Sequence, residues 1–544
     1  MTALPETLLA ELRAAVGQAH VLTGADDLER HSRCTLPWDS RCAAVVLPGS
    51  ADEVAQVLLA AGRHGVPVWP YSTGRNWGYG ATLAPEPGAI VLLLARMDRI
   101  LEVNEELAYA VLEPGVTYRQ LYEHLRARGS RLWIDCIDGT PHGSVIGNAL
   151  DRGVGETPYG DHFGNLCGLE VALPSGDIVR TGGSGAKTWH THKWGVGPYL
   201  EGLFSQSNLG VVTRAGIWLM PAPQAYNAFV FELTDERHFP AVIDAFRELA
   251  LAGVLSAKLH MINDVVSLTL LTQCRAEGLP TDAALTGDEL AALRAKYRIA
   301  PWSCGGGLYG SAAQVRLQRR LLRKALGRYG RLQFIDAPRL ALLKRLIAGA
   351  RARPWLRRMA ESLAGTSLPV MAFTPYIYDV LRGVPTEHFV RHAYFRNRAP
   401  RPDAQVDPAA DGCGLIWFAP ILPMSGGEVT PYLEDCRRRF AAHGFDFYVA
   451  LLHMNPRAVI ALMAILYDRA APGAAERARA LHDELVTAMQ AAGLQPYRAG
   501  LLTWPRLYDA APALARLNAR LKAAVDPAGV LAPGRYGVGH PDPA

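Results

Sequence analysis

Residues 70–80 read Pro70, Tyr71, Ser72, Thr73, Gly74, Arg75, Asn76, Trp77, Gly78, Tyr79 and Gly80. Three glycines fall within seven residues, directly after an apolar run that suits a strand. Such a loop can turn several backbone N–H groups toward one point and bind an anion. Ser72, Thr73 and Asn76 add side-chain donors and Arg75 adds charge, an inventory that matches a diphosphate. A second dense stretch runs Gly143, Ser144, Val145, Ile146, Gly147, Asn148 and continues through Arg152, Gly153, Thr157, Tyr159, Gly160, Asp161 and His162. Its small and hydrogen-bonding residues let a backbone pack against a flat ligand.

Other chemistries are excluded by spacing. No HExxH is present, so no zincin site is expected. Residues 182–188 imitate a phosphate-binding loop, but Ala186 stands where that loop needs glycine. No GxGxxG opens a helix after the first strand, so a Rossmann dinucleotide site is not indicated. His190 and His192 lie one residue apart with no third ligand nearby, and no metal is expected.

The elements that must position these loops come next. The chain has 544 residues, enough for several domains, and is 49% apolar and 20% charged, as folded proteins are. A net charge of +5 is small for this length and points away from nucleic acid. Eight cysteines are scattered without a CxxC, which reads as free thiols. No apolar run reaches the roughly 18 residues of a membrane span, and no membrane partner is expected. Glu6 and Glu11 interrupt the N-terminus, which reads as an amphipathic helix with no signal peptide visible. The expected compartment is cytoplasmic or periplasmic.

Up to residue 220, strand and helix signals alternate. Residues 42–48 read as a strand, Ser50 and Glu53 cap a following helix, and the next strand leads into the 70–80 loop. Thr117 and Gln120 repeat the capping spacing. Pro221 and Pro223 mark a boundary, after which long helices and separate strands follow to about 495. Residues 316–330 are strongly basic, a solvated helix face or a meeting place for an acidic partner.

The loop PYSTGRNWGYG, the block GSVIGNALDRGVGETPYGDHFGNLCGLEVALPSG, the stretch GPYLEGLFSQSNLGVVTRAGIWLMP and the ending DPAGVLAPGRYG closely resemble the vanillyl-alcohol oxidase and 4-cresol dehydrogenase (p-cresol methylhydroxylase) family of FAD enzymes. The resemblance runs in order from about residue 40 to 540. It implies an α+β fold with two domains: a PCMH-type FAD-binding domain over 1–224 and an α/β cap over 225–495. A C-terminal segment, 496–544, would return to the FAD and substrate site. The first loop would cradle the FAD diphosphate, the 143–162 block with Gly210 and Val212 would line the flavin, and Arg535 would lie near it.

The same resemblance implies chemistry on 4-substituted phenols, closest to the 4-alkylphenol and eugenol hydroxylase branch. Tyr79, Tyr497 and Arg498 match the residues that bind the phenol as phenolate. That assignment makes physical sense, since a fixed cation and donors lower a phenol's pKa in a dry pocket and Arg stays charged. Hydride transfer from the benzylic carbon to flavin would leave a p-quinone methide, to which water adds or from which a proton is lost. Asp138 is the nearest match for the acid or base of that second step, with Asp135 as competitor.

The oxidase branch links FAD to a His before a segment like LIWFAP, where this chain has Leu415. The dehydrogenase branch uses a tyrosine, and Tyr394 in HAYFRNR sits in about the right place, with His392 as an alternative nucleophile. A tyrosyl link would suit a dehydrogenase passing electrons to a c-type cytochrome. The alternative is an oxidase that reduces oxygen to hydrogen peroxide. A homodimer is the further expectation that the resemblance carries.

Overall fold

A computed structural model describes residues 3–539. Near the N-terminus, Ala44–Val46 and Val68–Tyr71 are parallel strands joined by the helix Ala51–His64. They do not touch: Ile90–Leu93 lies between them and pairs in parallel with both. Ser50 caps the helix by accepting the Glu53 N–H (3.2 Å), and Gly65 ends it in the left-handed conformation. The helix buries Val54, Val57, Leu58 and Ala61 against the strands, and its spacing of apolar residues dictates that face.

An antiparallel sheet of five strands follows, ordered Ile100–Asn104, Tyr109–Leu112, Val211–Trp218, Leu166–Ala172, Ile178–Arg180. All seven residues of Leu166–Ala172 are buried, as a central strand covered on both faces requires. The Thr117–Gln120 capping box is present and starts the helix Tyr118–Ala127.

A third, larger sheet of nine strands uses residues from Ala225 to Pro496. Its helices pack on it through Phe246, Leu322, Leu433, Phe440 and Leu485, among the most buried side chains of the molecule. The last strand, Gln495–Pro496, pairs with Pro420–Pro423 and delivers Tyr497 and Arg498 to the junction of this sheet with the glycine-rich loops. The chain then returns to the first sheet, where Val68 donates to the Val530 carbonyl (2.8 Å) and its own carbonyl accepts from Ala532 (2.9 Å). Among the described residues no helix is long and apolar enough to cross a membrane.

Candidate active site

One cavity of about 510 Å³ lies where the glycine-rich loops meet the large sheet. Its wall includes Pro70, Ser72, Thr73, Gly74, Arg75, Asn76, Trp77 and Tyr79 from the first loop. Ser144, Gly147, Asn148 and Gly153 come from the second block, Gly210 and Val212 from the central strand region, and Tyr497, Arg498 and Arg535 from the C-terminal part.

The cradle is built from close backbone approach. Ser144 opens the short helix Val145–Leu150 and accepts the Gly147 N–H (2.8 Å). A Cβ on Gly147 would lie 2.6 Å from the Ser72 hydroxyl, so only glycine lets loop and helix meet. Arg535 donates Nη1–H to the Pro70 carbonyl (3.0 Å), while its buried Nε lacks a hydrogen-bond partner among the described residues. A buried guanidinium N–H left unpaired is costly, and an anionic ligand beside it relieves that cost. The donors and the orphaned Nε fit a bound FAD.

The structure places the remaining expected residues differently. Arg75 lines the cavity and also pairs with Asp407 (2.5 Å). Gly78 does not reach the wall; its N–H goes to Thr35 Oγ1 (2.8 Å) and its carbonyl to the Trp417 N–H (3.2 Å). Arg152, Tyr159, Gly160, Asp161 and His162 lie behind the wall. Arg152 donates Nε–H to Ser205 Oγ (2.8 Å), and the Asp161 carboxylate accepts the Gly164 N–H (2.9 Å). His162 is buried between Asn148 Oδ1 (2.6 Å) and Asp135 Oδ2 (2.7 Å). The second half of the block shapes the turn that supports its first half.

Tyr394 is also off the wall. It is 0% exposed and donates its hydroxyl to Asp411 Oδ2 (2.5 Å). Burial and that bond push its pKa well up. Its neighbours His392 and Ala393 do line the cavity, as does Pro408 from the Asp411 loop. His190 and His192 are apart from the site, and His190 contacts the Cys167 carbonyl through Nδ1 (2.9 Å).

The three clamp residues do come together. The Arg498 guanidinium carbon lies 5.4 Å from the centre of the Tyr79 ring and 5.3 Å from that of Tyr497. Its Nη2 is 3.4 Å from the Tyr497 hydroxyl and its Nε–H is donated to the Asp151 carbonyl (3.0 Å). Tyr497 donates its hydroxyl to the Arg152 carbonyl (2.6 Å). A Cβ on Gly500 would lie 3.1 Å from Tyr79 Cα, so this glycine lets Tyr79 seat against the clamp. Burial raises the pKa of both tyrosines, and Arg498 offsets only part of it, so both stay protonated donors at neutral pH. Burial acts to lower the pKa of Arg498, but the oxygens of Tyr497, Asp151 and Tyr79 outweigh it and hold the cation.

The two candidate acids separate cleanly. Asp135 accepts the Glu156 (3.1 Å) and Thr157 (2.7 Å) N–H groups and meets His162, which makes it a brace for the turn. Asp138 lines the cavity. Its charge is felt by Tyr497, His392 and Tyr448, which border the same space.

Sequence reasoning missed two groups beside Asp138. Glu156 is buried, and its Oε2 lies 2.8 Å from Nε2 of His260 on the strand Leu259–Asn263. Asp138, Glu156 and His260 bring one polar atom each within 4.8 Å. Burial alone would lower the His260 pKa, yet the Glu156 carboxylate outweighs it and holds the imidazole at about 9. Burial raises Glu156, and His260 offsets part of that rise. Glu156 and His260 thus form an ion pair that faces the Asp138 carboxylate. Glu156 sat inside a block that already looked functional. His260 carries no local signal at all, because only the sheet brings it there.

Known proteins place this arrangement. An FAD binding domain family model matches residues 42–182. The chain is 39% identical to the 1'-carboxy-chondrochloren decarboxylase of Chondromyces crocatus, covering 98% of each chain. It is 29% identical to the 4-cresol dehydrogenase [hydroxylating] flavoprotein subunit of Pseudomonas putida, covering 97% of this chain and 94% of that one. The structure superposes on 4-ethylphenol oxidase from Gulosibacter chungangensis, solved with isoeugenol, with a TM-score of 0.85 at 29% identity, over 98% of this chain and 97% of that one. The PCMH-type two-domain α+β fold is thus established, and the chain belongs to the vanillyl-alcohol oxidase and 4-cresol dehydrogenase family of FAD-dependent oxidoreductases.

Proposed function

We propose that this protein oxidises 4-alkyl- or 4-allylphenols at the benzylic carbon. The observation that carries the reading is the convergence of Tyr79, Tyr497 and Arg498 at one end of a cavity whose wall also holds Asp138. Arg498 and the two phenol donors bind the substrate oxygen and favour its ionised form. FAD, when bound, supplies the two-electron acceptor for a hydride. Loss of hydride from the benzylic carbon of a phenolate leaves a neutral p-quinone methide. Asp138 then takes a proton from water as that water adds to the exocyclic carbon, which gives the benzylic alcohol. Taking the proton from the side chain instead gives the alkene.

The test is the visible spectrum of the FAD-loaded protein, recorded without oxygen before and after adding 4-ethylphenol. The flavin band should bleach. A flavin that stays oxidised with every 4-alkylphenol tried would remove the substrate class. Admitting air to the reduced protein then separates the acceptors. Prompt recovery with peroxide marks an oxidase, whereas slow recovery that c-type cytochrome accelerates marks a dehydrogenase.

A second reading has its own support in the 39% relative, whose name is that of a decarboxylase. It draws as well on the imidazolium of His260 at the cavity wall. If the carbon next to the benzylic one carries a carboxylate, the quinone methide can re-aromatise by losing CO₂. The C–C bonding pair becomes the new double bond, and the ring oxygen regains its charge. Feeding 3-(4-hydroxyphenyl)propanoate should then release CO₂ and 4-vinylphenol in equal amounts. An alcohol that keeps its carboxylate would exclude this route.

A further inference from the structure

The helices Ala337–Ala352 and Pro354–Ala364 pack against each other, and the first also packs on Leu368–Val380. Their inner faces bury Leu340, Ile347, Ala350 and Ala360. Their other faces leave large apolar side chains in solvent. Leu342 and Leu346, one turn apart, are 58% and 39% exposed, and Trp355 and Met359, also one turn apart, are 60% and 45% exposed. Cations are interleaved with them. Arg339, Lys344, Arg345 and Arg351 lie on the first helix, Arg353 between the two, and Arg357 and Arg358 on the second. The sole carboxylate of residues 337–362 is Glu361, and it is already paired with Arg357 (3.0 Å). This short pair of helices therefore carries a larger positive excess than the +5 of the whole chain.

We propose that this helix pair is an interfacial anchor that seats the protein on an anionic lipid bilayer. Exposed Trp, Leu and Met beside Arg and Lys is the composition that lies in a headgroup layer, with apolar groups at the acyl boundary and cations on the phosphates. Charge selects the occupant. A second copy that met this face with the same face would press two cationic surfaces together. An acidic protein would satisfy the cations but leaves Trp355 and Leu342 unexplained. The expectation of no membrane partner rested on the lack of a spanning helix, and an interfacial helix pair needs no span.

The position of the anchor has a consequence for access. The helix that follows, Leu368–Val380, supplies Val370, Phe373, Thr374 and Ile377 to the cavity wall. The anchor thus holds an apolar flank of the cavity near the bilayer, where a lipophilic phenol partitions. This consequence rests on the phenol reading, but the anchor does not.

The test is sedimentation of the full-length protein with vesicles of phosphatidylcholine alone and of phosphatidylcholine mixed with phosphatidylglycerol. Pelleting is expected only with the anionic vesicles and should weaken with salt. Two double variants, Trp355→Ser with Met359→Ser and Arg353→Glu with Arg358→Glu, should each cut the bound fraction about tenfold or more. Both should turn over a water-soluble phenol as the parent does, which shows that they fold. No pelleting on anionic vesicles would overturn the proposal. So would retention on immobilised polyglutamate that survives loss of Trp355 and Met359, which marks a protein dock. A dimer in light scattering that Arg353→Glu with Arg358→Glu strengthens, without lipid binding in the parent, would assign the face to a second copy.

Discussion

Arg498 donates its Nε–H to the carbonyl of Asp151, 347 residues away in the chain (3.0 Å). The side chain of the same aspartate accepts from Asn76 Nδ2 (3.0 Å) and from the Tyr536 hydroxyl (2.7 Å). One residue therefore ties the first glycine-rich loop and the C-terminal tail to the cation of the clamp. The guanidinium is fixed before any substrate arrives, so little ordering is left for binding to pay for.

From this follows the effect of removing the cation. Arg498→Ala should weaken binding of a 4-alkylphenol by about 10- to 100-fold, the worth of a charge-assisted hydrogen bond of roughly 1.5–3 kcal/mol. It should also shift the ultraviolet spectrum of the bound phenol from phenolate toward phenol. Tyr79→Phe removes a neutral donor and should cost less, about 1 kcal/mol. Equal affinity for the phenol in all three proteins would move the binding site away from the clamp.

Asp138 and Asp135 give contrasting expectations. Asp138→Asn should slow turnover about 10²- to 10⁴-fold with phenol affinity little changed, as loss of an acid–base group does. It should also change the ratio of alcohol to alkene. Asp135→Asn keeps an oxygen for the Glu156 and Thr157 N–H groups but loses the charge and the second carboxylate oxygen that meets His162, and should lower the melting temperature. If Asp135→Asn alone alters the product ratio, the assignment reverses.

The first loop, the Ser50 cap and the Thr117–Gln120 capping box were legible because each depends on local composition or on a motif with fixed spacing, whereas the clamp trio was legible only through the family resemblance. The helix at Ala51–His64 needed only Ser50, Glu53 and an apolar face. The strand Ile90–Leu93 is legible as an apolar run, but its place between the two flanking strands was not, since pairing order is set by packing across the sheet. The role of each residue in the 143–162 block was blurred for a related reason. Gly147 and His162 sit in the same kind of sequence, yet one faces the cavity and the other braces Asp135. His260 was invisible because a histidine in a strand acquires meaning only from Glu156 on a separate segment.

Tyr394 joins both sides of this argument. We expect FAD to attach through its oxygen, which must first leave Asp411, and the carboxylate is placed to take the proton. Wild-type protein precipitated with acid should remain yellow. Tyr394→Phe should precipitate colourless while the native variant still binds FAD. A yellow precipitate from Tyr394→Phe would transfer the link to another residue, with His392 on the cavity wall the next to substitute.

The Glu156–His260 pair sets a pH dependence whose sign can be worked out. The folded-state pKa of His260, about 9, lies above its ordinary value of 6.5. Its protonation therefore stabilises the fold fully below pH 6.5, and that contribution fades as pH rises through about 9. The groups facing the imidazole are Glu156, Asp138 and Asp135, all acidic, and Glu156 has the largest effect of the three. Glu156→Gln leaves burial as the chief influence, so the imidazole should titrate well below 9. Melting temperatures taken from pH 6 to pH 10 should then fall across this window in the wild type and stay flatter in the variant. The histidine ring resonances, followed by NMR, should show the same downward move. Identical profiles for the two proteins would mean that the buried pair is not ionised, and Asp138 would then face two neutral groups.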